Sequence, residues 1–366
     1  MNTLISGPHT HVADGVSRIM FTVLLAVLPA AGYGIYLFGW PALNLFSITL
    51  LTCLACEALS LRLAGKPPKP SLMDGSAVLT GVLLAMSLPP WAPWWIGVLG
   101  GFFAIVLGKQ IFGGIGQNVF NPAMLARVAL LVSFPVEMTF WLEPRPFFSS
   151  QAPGFLEGLS ITFGSVANLD GISGASILGR VRTELSMAHG LSQSLPGHYN
   201  PTTSALGLTP GSLGETAELP ILIGGLWLLS RRLITWQIPA AMLGTVILLA
   251  TGLHLLNPER FADATLHLLS GSLMLGAFFI ATDPVTSPTT SRGQLLFGAG
   301  CGALVYIIRT AGGYPEGVAF AVVLMNAVTP VIDYYIRPRI YGRTRRGQPL
   351  PVTSATQPPA SLQKGD

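Results

Sequence analysis

The chain has 366 residues, half of them hydrophobic and only 10% charged, whereas a soluble domain carries roughly 25% charged residues. That balance excludes an ordinary soluble catalytic domain. A formal charge of +4, with no basic stripe and interleaved aromatics, calls for no nucleic-acid partner, and three cysteines give no disulfide framework.

The opening MNTLISGPHTHVADGVSRIM is polar and lacks the charged start, apolar stretch and cleavage site of a secretory signal, so the first helix is expected to stay in the membrane. Apolar runs between Pro, Gly or charged breaks predict spans near 19–38, 43–63, 75–88, 94–108 and 121–134. A second set follows near 219–230, 235–253, 266–281, 294–309 and 317–335. The fold class expected is an all-α integral membrane protein of about ten transmembrane helices. It divides into a first five-helix half (1–134), an external loop (135–218) rich in Gly, Ser, Pro and Thr, a second half (219–336) and a basic, solvated tail (337–366).

Most of the twenty basic residues, among them Arg18, Arg62, Lys66, Lys69, Lys109, Arg231, Arg232, Arg292 and the run from Arg337 to Arg346, fall on one side of these spans. The positive-inside bias therefore predicts both termini in the cytoplasm and the 135–218 loop outside, with the basic start of the tail near anionic membrane lipid. Two irregular runs, Lys109–Pro122 and Thr282–Arg292, hold comparable places in the two halves. Broken backbone at membrane depth survives only where protein or a cavity satisfies it. With five spans each, the halves are expected to be inverted repeats around a central site.

Several residues carry possible chemistry. In GKQIFGGIGQNVFNP, Gln110, Gln117, Asn118 and Asn121 offer amides that suit the edge of a flat heterocycle such as an isoalloxazine; equally, they cap helix ends in a re-entrant turn. Asp283, at the break in MLGAFFIATDPVTSPTTSRGQ, is costly if buried; it could bind a cation, hold a flavin edge or cap the next helix. Glu57 lies in the second span with no basic neighbour one turn away, which suits an ion path or snorkelling to the interface. Cys53 and Cys56 read as packing residues on one helix face. The loop run Asp170-Gly-Ile-Ser-Gly-Ala-Ser176 reads as a turn or helix N-cap. It also presents an exposed hydroxyl that a modifying enzyme could join to a cofactor phosphate.

The runs SGPHTH, GKQIFGGIGQNVFNPAM, DGISGAS, GAFFIATDPVTSPTTSRG and AGGYPEGVAFAVVLMNAVTPVIDYY, in this order, resemble the RnfD family of the Rnf electron transport complex. More distantly they resemble NqrB of the Na⁺-translocating NADH:quinone reductase. The likeness runs from position 6 to about 342. It implies a bacterial inner-membrane subunit, not catalytic alone, of a complex that couples electron transfer between ferredoxin and NAD⁺ to Na⁺ or H⁺ translocation. Its partners would carry iron–sulfur and flavin centres.

The resemblance also implies covalent FMN. Family members carry it on a threonine in an SGAT loop, attached through its phosphate by a flavin transferase that also accepts serine. Here the loop reads Ser173-Gly174-Ala175-Ser176, which makes Ser176 the expected attachment point, Asp170 a neighbour and Ser173 the fallback hydroxyl. A second, noncovalent flavin, riboflavin, is expected within the membrane, lined by Gln117, Asn118, Asn121 and Asp283, with Glu57 and Asp283 on the ion path. The competing functions are a solute transporter of similar two-half architecture and a scaffold subunit without covalent flavin.

Overall fold

The computed structural model describes residues 15–164, 175–187, 190–191, 199–314, 316–338 and 348, and the regular structure among them is helical. The first helix, α1 (Val16–Leu63), has 48 residues. Straight, it would be about 72 Å long at 1.5 Å per residue, far beyond a bilayer core of about 30 Å. It does not stay straight. Gly39 adopts φ 73°, ψ −154°, and Pro41 follows two residues later. Glycine supplies the positive φ at no steric cost, and the proline lacks the N–H that would carry the helical ladder across the bend. The carbonyls this frees find other donors. Phe38 O accepts from Trp91 Nε1 at 3.0 Å, and Tyr36 O accepts from the N–H of Phe147 at 2.8 Å.

A short α2 (Pro68–Leu72) leads to α3 (Ser76–Ser87) and α4 (Trp94–Phe102), which continues as a π-helical stretch from Phe103 to Gln110. After irregular backbone, α5 (Pro122–Ser133) starts at Asn121, whose Oδ1 accepts from the N–H groups of Ala123 and Met124. The connection that follows is less bare than its composition suggests, since it holds α6 (Pro135–Met138), α7 (Phe155–Phe163), α8 (Ile177–Ser186) and α9 (Pro201–Ala205). The α7 helix packs on the bend of α1, with Phe155 edge-on to Trp40 at 5.0 Å between ring centroids.

The second part comprises α10 (Glu218–Ser230), α11 (Gln237–Leu256), α12 (Ala264–Leu268), α13 (Leu273–Leu275) with a π-helical continuation over Gly276–Ile280, α14 (Ser291–Ala311) and α15 (Val318–Tyr335). Four helices, α1, α11, α14 and α15, are long and apolar enough to cross a membrane; α3, α4 with its π-helical continuation, α5 and α10 are shorter and apolar. Their buried faces share one core that includes Leu84, Met124, Met242, Phe278, Phe297 and Val322. Cys53 packs in a small cluster with Ala77 and Ile105, and Cys56 lies at its edge.

One predicted span differs. The run 266–281 is not continuous, because α12 ends and Gly271, at φ 74°, turns the chain before α13 begins. Arg309 stabilises that break: Nη1 donates to His267 O at 2.7 Å and Nη2 to Ser270 O at 3.0 Å, satisfying carbonyls a helix end leaves free.

Candidate functional site

The two irregular runs meet. Between them lies a cavity with about 820 Å³ of non-atom space, part of it open to the outside. Lys109, Ile115, Asn118 and Asn121 line it from one run, and Phe278, Phe279, Thr282, Asp283 and Val285 from the other. Ser76 and Thr80 of α3 add hydroxyls, and Leu83 and Leu228 add apolar wall. Both π-helical stretches border this space, in keeping with the tendency of π-turns to occur at functional sites. The size lies within the ~300–1,000 Å³ typical of small-molecule pockets, and apolar walls with a few convergent polar groups are their usual lining.

The predicted residues divide in their roles. Asn118 and Asn121 are buried and line the cavity. The Asn121 side chain is already engaged as the N-cap of α5, and its Nδ2 reaches Ile280 O at 3.5 Å, so it fixes the wall more than it offers free donors. Asn118 Nδ2 donates to Phe120 O at 3.1 Å. Asp283 lines the cavity while closing its own turn, accepting from Val285 N–H at 3.2 Å and from Thr286 Oγ1 at 3.2 Å. Gln117 is exposed and is not among the cavity-lining residues.

Glu57 neither snorkels nor stands alone. It is fully buried, and Lys109, from the π-helical stretch, donates to its Oε1 at 2.9 Å. Lys109 is 2% exposed and therefore not one of the solvated charges that the positive-inside bias assigns to the cytoplasm. Its Nζ also donates to Ser76 Oγ at 2.7 Å, while Ser71 Oγ donates to Glu57 Oε1 at 2.6 Å. Periodicity along one helix could not show this pair, because the partner comes from another segment at the cavity edge.

At one end of the bundle, Ser176 is the N-cap of α8, accepting from the N–H of Gly179 at 3.1 Å. Its exposure is 8%, so the hydroxyl is not on an open loop. It faces a second cavity of about 380 Å³, lined also by Trp141, Thr209, Pro210, Glu215, Ser270 and Glu316. The α8 helix is held there by Leu178, packed with Leu191, Ala262 and Leu266. Ala175 precedes Ser176 in the described chain, whereas Asp170, Ser173 and Gly174 lie outside the described residues.

Beneath that cavity sits a set of buried charges that motif reading missed. Arg127 of α5 lies 3.5 Å from Glu215, and Arg309 of α14 lies 3.1 Å from Glu316. Burial pushes the Glu215 carboxyl above its ordinary range, Glu316 adds to the rise, and Arg127 opposes it. His267, on α12 ahead of the break and so outside the spanning stretch, is driven the other way, to about 3, by burial first and by the Arg309 charge second. The signal available in the sequence was a charge inside an apolar run, Arg127, and such residues are functional candidates by default.

Helices long and apolar enough to cross a bilayer, broken segments that meet around a cavity, and charges buried between helices define a multi-pass helical membrane protein. The chain belongs to the NQR2, RnfD, RnfE family, whose model matches residues 3–342. Among similar proteins is the RnfD subunit of the ion-translocating oxidoreductase complex of Halorhodospira halophila, 56% identical over 96% of this chain and 98% of its own length. Subunits of the same name from Stutzerimonas stutzeri and Escherichia coli are 55% and 46% identical, covering 94% and 93% of this chain and 98% and 99% of their own lengths.

Proposed function

We propose that this chain is the flavin-carrying membrane subunit of an ion-translocating oxidoreductase complex, coupling electron transfer between ferredoxin and NAD⁺ to movement of Na⁺ or H⁺. The observation that carries the reading is identity of 56% over nearly the full length of a relative named for its place in such a complex. Its partners are the other subunits with iron–sulfur and flavin centres, and it is not catalytic alone. The proposed setting is the bacterial inner membrane, with both termini cytoplasmic and the 135–218 loop periplasmic.

The ten-span, two-half arrangement belongs to the same proposal. Two features support it: a π-helical stretch precedes each irregular run, and the helix after each run is capped by a side chain, Asn121 for α5 and Thr290 for α14.

FMN is placed on Ser176 by a phosphoester, with the flavin transferase as maturation partner. Ser176 Oγ fits the role because an ester oxygen keeps a lone pair for the Gly179 N–H it now accepts. The cavity it faces is at the small end for a ligand site, so it suits the phosphate and adjoining chain and leaves the ring outside. Bound flavin supplies the capacity to accept and pass electrons. The protein's own residues position it: Ser176 tethers, Trp141 offers a flat apolar contact, and Arg127 and Arg309 keep the nearby carboxylates compensated. Riboflavin is assigned to the central cavity, with Asn118, Asn121 and Asp283 in its polar wall and Phe278 and Phe279 in its apolar wall. Glu57 with Lys109, and Asp283, are the ion-path candidates at that cavity.

Ultraviolet fluorescence of the denatured protein in a gel tests the tether. A fluorescent band that disappears with Ser176→Ala supports it. A dark wild-type band from cells containing the transferase defeats it and favours a scaffold role without covalent flavin.

A further inference from the structure

The charge cluster beneath Ser176 is unbalanced. Three carboxyl groups, Glu215, Glu218 and Glu316, share it with two guanidinium groups, Arg127 and Arg309, and every one of these residues is less than 10% exposed. Fully ionised, the set would carry one uncompensated negative charge, and a lone buried charge is expensive enough that the group takes a proton instead.

Geometry decides which group does so. Glu316 is saturated as a carboxylate: Oε1 accepts from the N–H groups of Gly317 and Val318, and Oε2 from Ser272 N–H at 3.0 Å and Arg309 Nη2 at 3.1 Å. Glu215 has Arg127 beside it at 3.5 Å. Glu218, 3% exposed, has both carboxyl oxygens buried with no hydrogen-bond partner. The charges that face it are Arg309 from α14, Glu215 from the segment before α10 and Glu316 from the segment before α15, with Tyr199 ahead of α9 on its remaining side. Among the described residues no three acidic, His or Cys groups are placed to hold a metal ion, so these carboxyls do not converge as ligands would.

We propose that Glu218 is a proton-binding site, a neutral carboxyl group that holds an exchangeable proton at the Ser176 end of the bundle. Glu215 and Glu316 line the Ser176 cavity, so the proton sits one carboxyl away from it and balances negative charge that arrives there. The link to ion movement rests on the proposed function; the protonated state does not.

Infrared difference spectra of the whole complex between acid and alkaline pH, in water and deuterated water, test this directly. The expected result is a protonated-carboxyl carbonyl band that is isotope-sensitive and lost in Glu218→Gln. Glu218→Asp keeps an acid and should shift the band, which serves if the glutamine variant does not assemble. The band should persist in Ser176→Ala, so a failed flavin reading leaves it standing. Coincident wild-type and Glu218→Gln spectra, an unshifted band in Glu218→Asp, loss of the band in Glu215→Gln alone, or its abolition by Na⁺ at constant pH would each overturn the proposal.

Discussion

The backbone N–H of Asn121 donates to Oδ1 of Asn326 at 3.1 Å, tying the start of α5 to the middle of α15 across 205 residues of chain. Asn326 also donates through Nδ2 to Thr286 O at 3.1 Å, and Thr329 Oγ1 donates to the same carbonyl. One amide thus holds both irregular runs in place around the central cavity. Asn326→Leu strands a buried N–H and weakens the hold on a buried carbonyl, at about 1–3 kcal/mol for each group left unsatisfied. Thermal unfolding of the purified complex should show the loss, and an unchanged midpoint would mean the amide is not a clamp.

The pair Lys109–Glu57 makes a sharper test, because a buried ion pair is costly mainly when broken. Lys109→Met alone should destabilise by about 3–5 kcal/mol, since Glu57 is left charged and buried. Adding Glu57→Gln should recover most of that loss. Additive losses in the double-mutant cycle would show that the two side chains do not depend on each other.

Gly271 is the narrowest backbone position at the Ser176 end. Its φ is 74°, and a Cβ there would collide with Glu316 Oε2 and Arg309 Nη2. Gly271→Ala should cost at least ~1–2 kcal/mol from the left-handed conformation, with displacement of the ion pair in addition. The yield of assembled protein and the unfolding midpoint both report it. Wild-type values in this variant would mean the turn relaxes freely.

His267 gives a pH dependence whose sign is fixed. Its folded value of about 3 lies below the ordinary 6.5, so between these the unfolded chain binds a proton that the folded one does not. Stability conferred by neutral His267 is therefore complete above pH ~6.5 and is lost progressively as pH falls toward ~3. Glu215, shifted upward, works in the opposite sense, so the comparison must be with His267→Gln and not with wild type alone. The variant should lose less stability on acidification by a few kcal/mol. Parallel acid-denaturation curves would contradict a buried neutral imidazole.

Segment type and order were legible because apolar runs, prolines and glycines act locally: α10, α14 and α15 fall within a few residues of their expected positions. The meeting of Asn118, Asn121 and Asp283 at one cavity was legible because polar, glycine-rich or proline-rich backbone cannot face lipid and must line something. Long-range pairing was not. Nothing near Glu57 announces Lys109, 52 residues away, and nothing in the run 266–281 announces that Arg309 ends α12 by taking its carbonyls. The burial of Ser176 was equally hidden, since it depends on Leu178 packing against Ala262 and Leu266.

The central claim is that Ser176 carries flavin. The most direct measurement is the mass of the proteolytic peptide containing Ser176, taken from the complex purified out of cells that also contain the flavin transferase. The account predicts the peptide mass increased by one FMN less one water, with fragmentation placing the addition on Ser176 and not on Ser173. An unmodified peptide from an assembled, electron-transferring complex would contradict it.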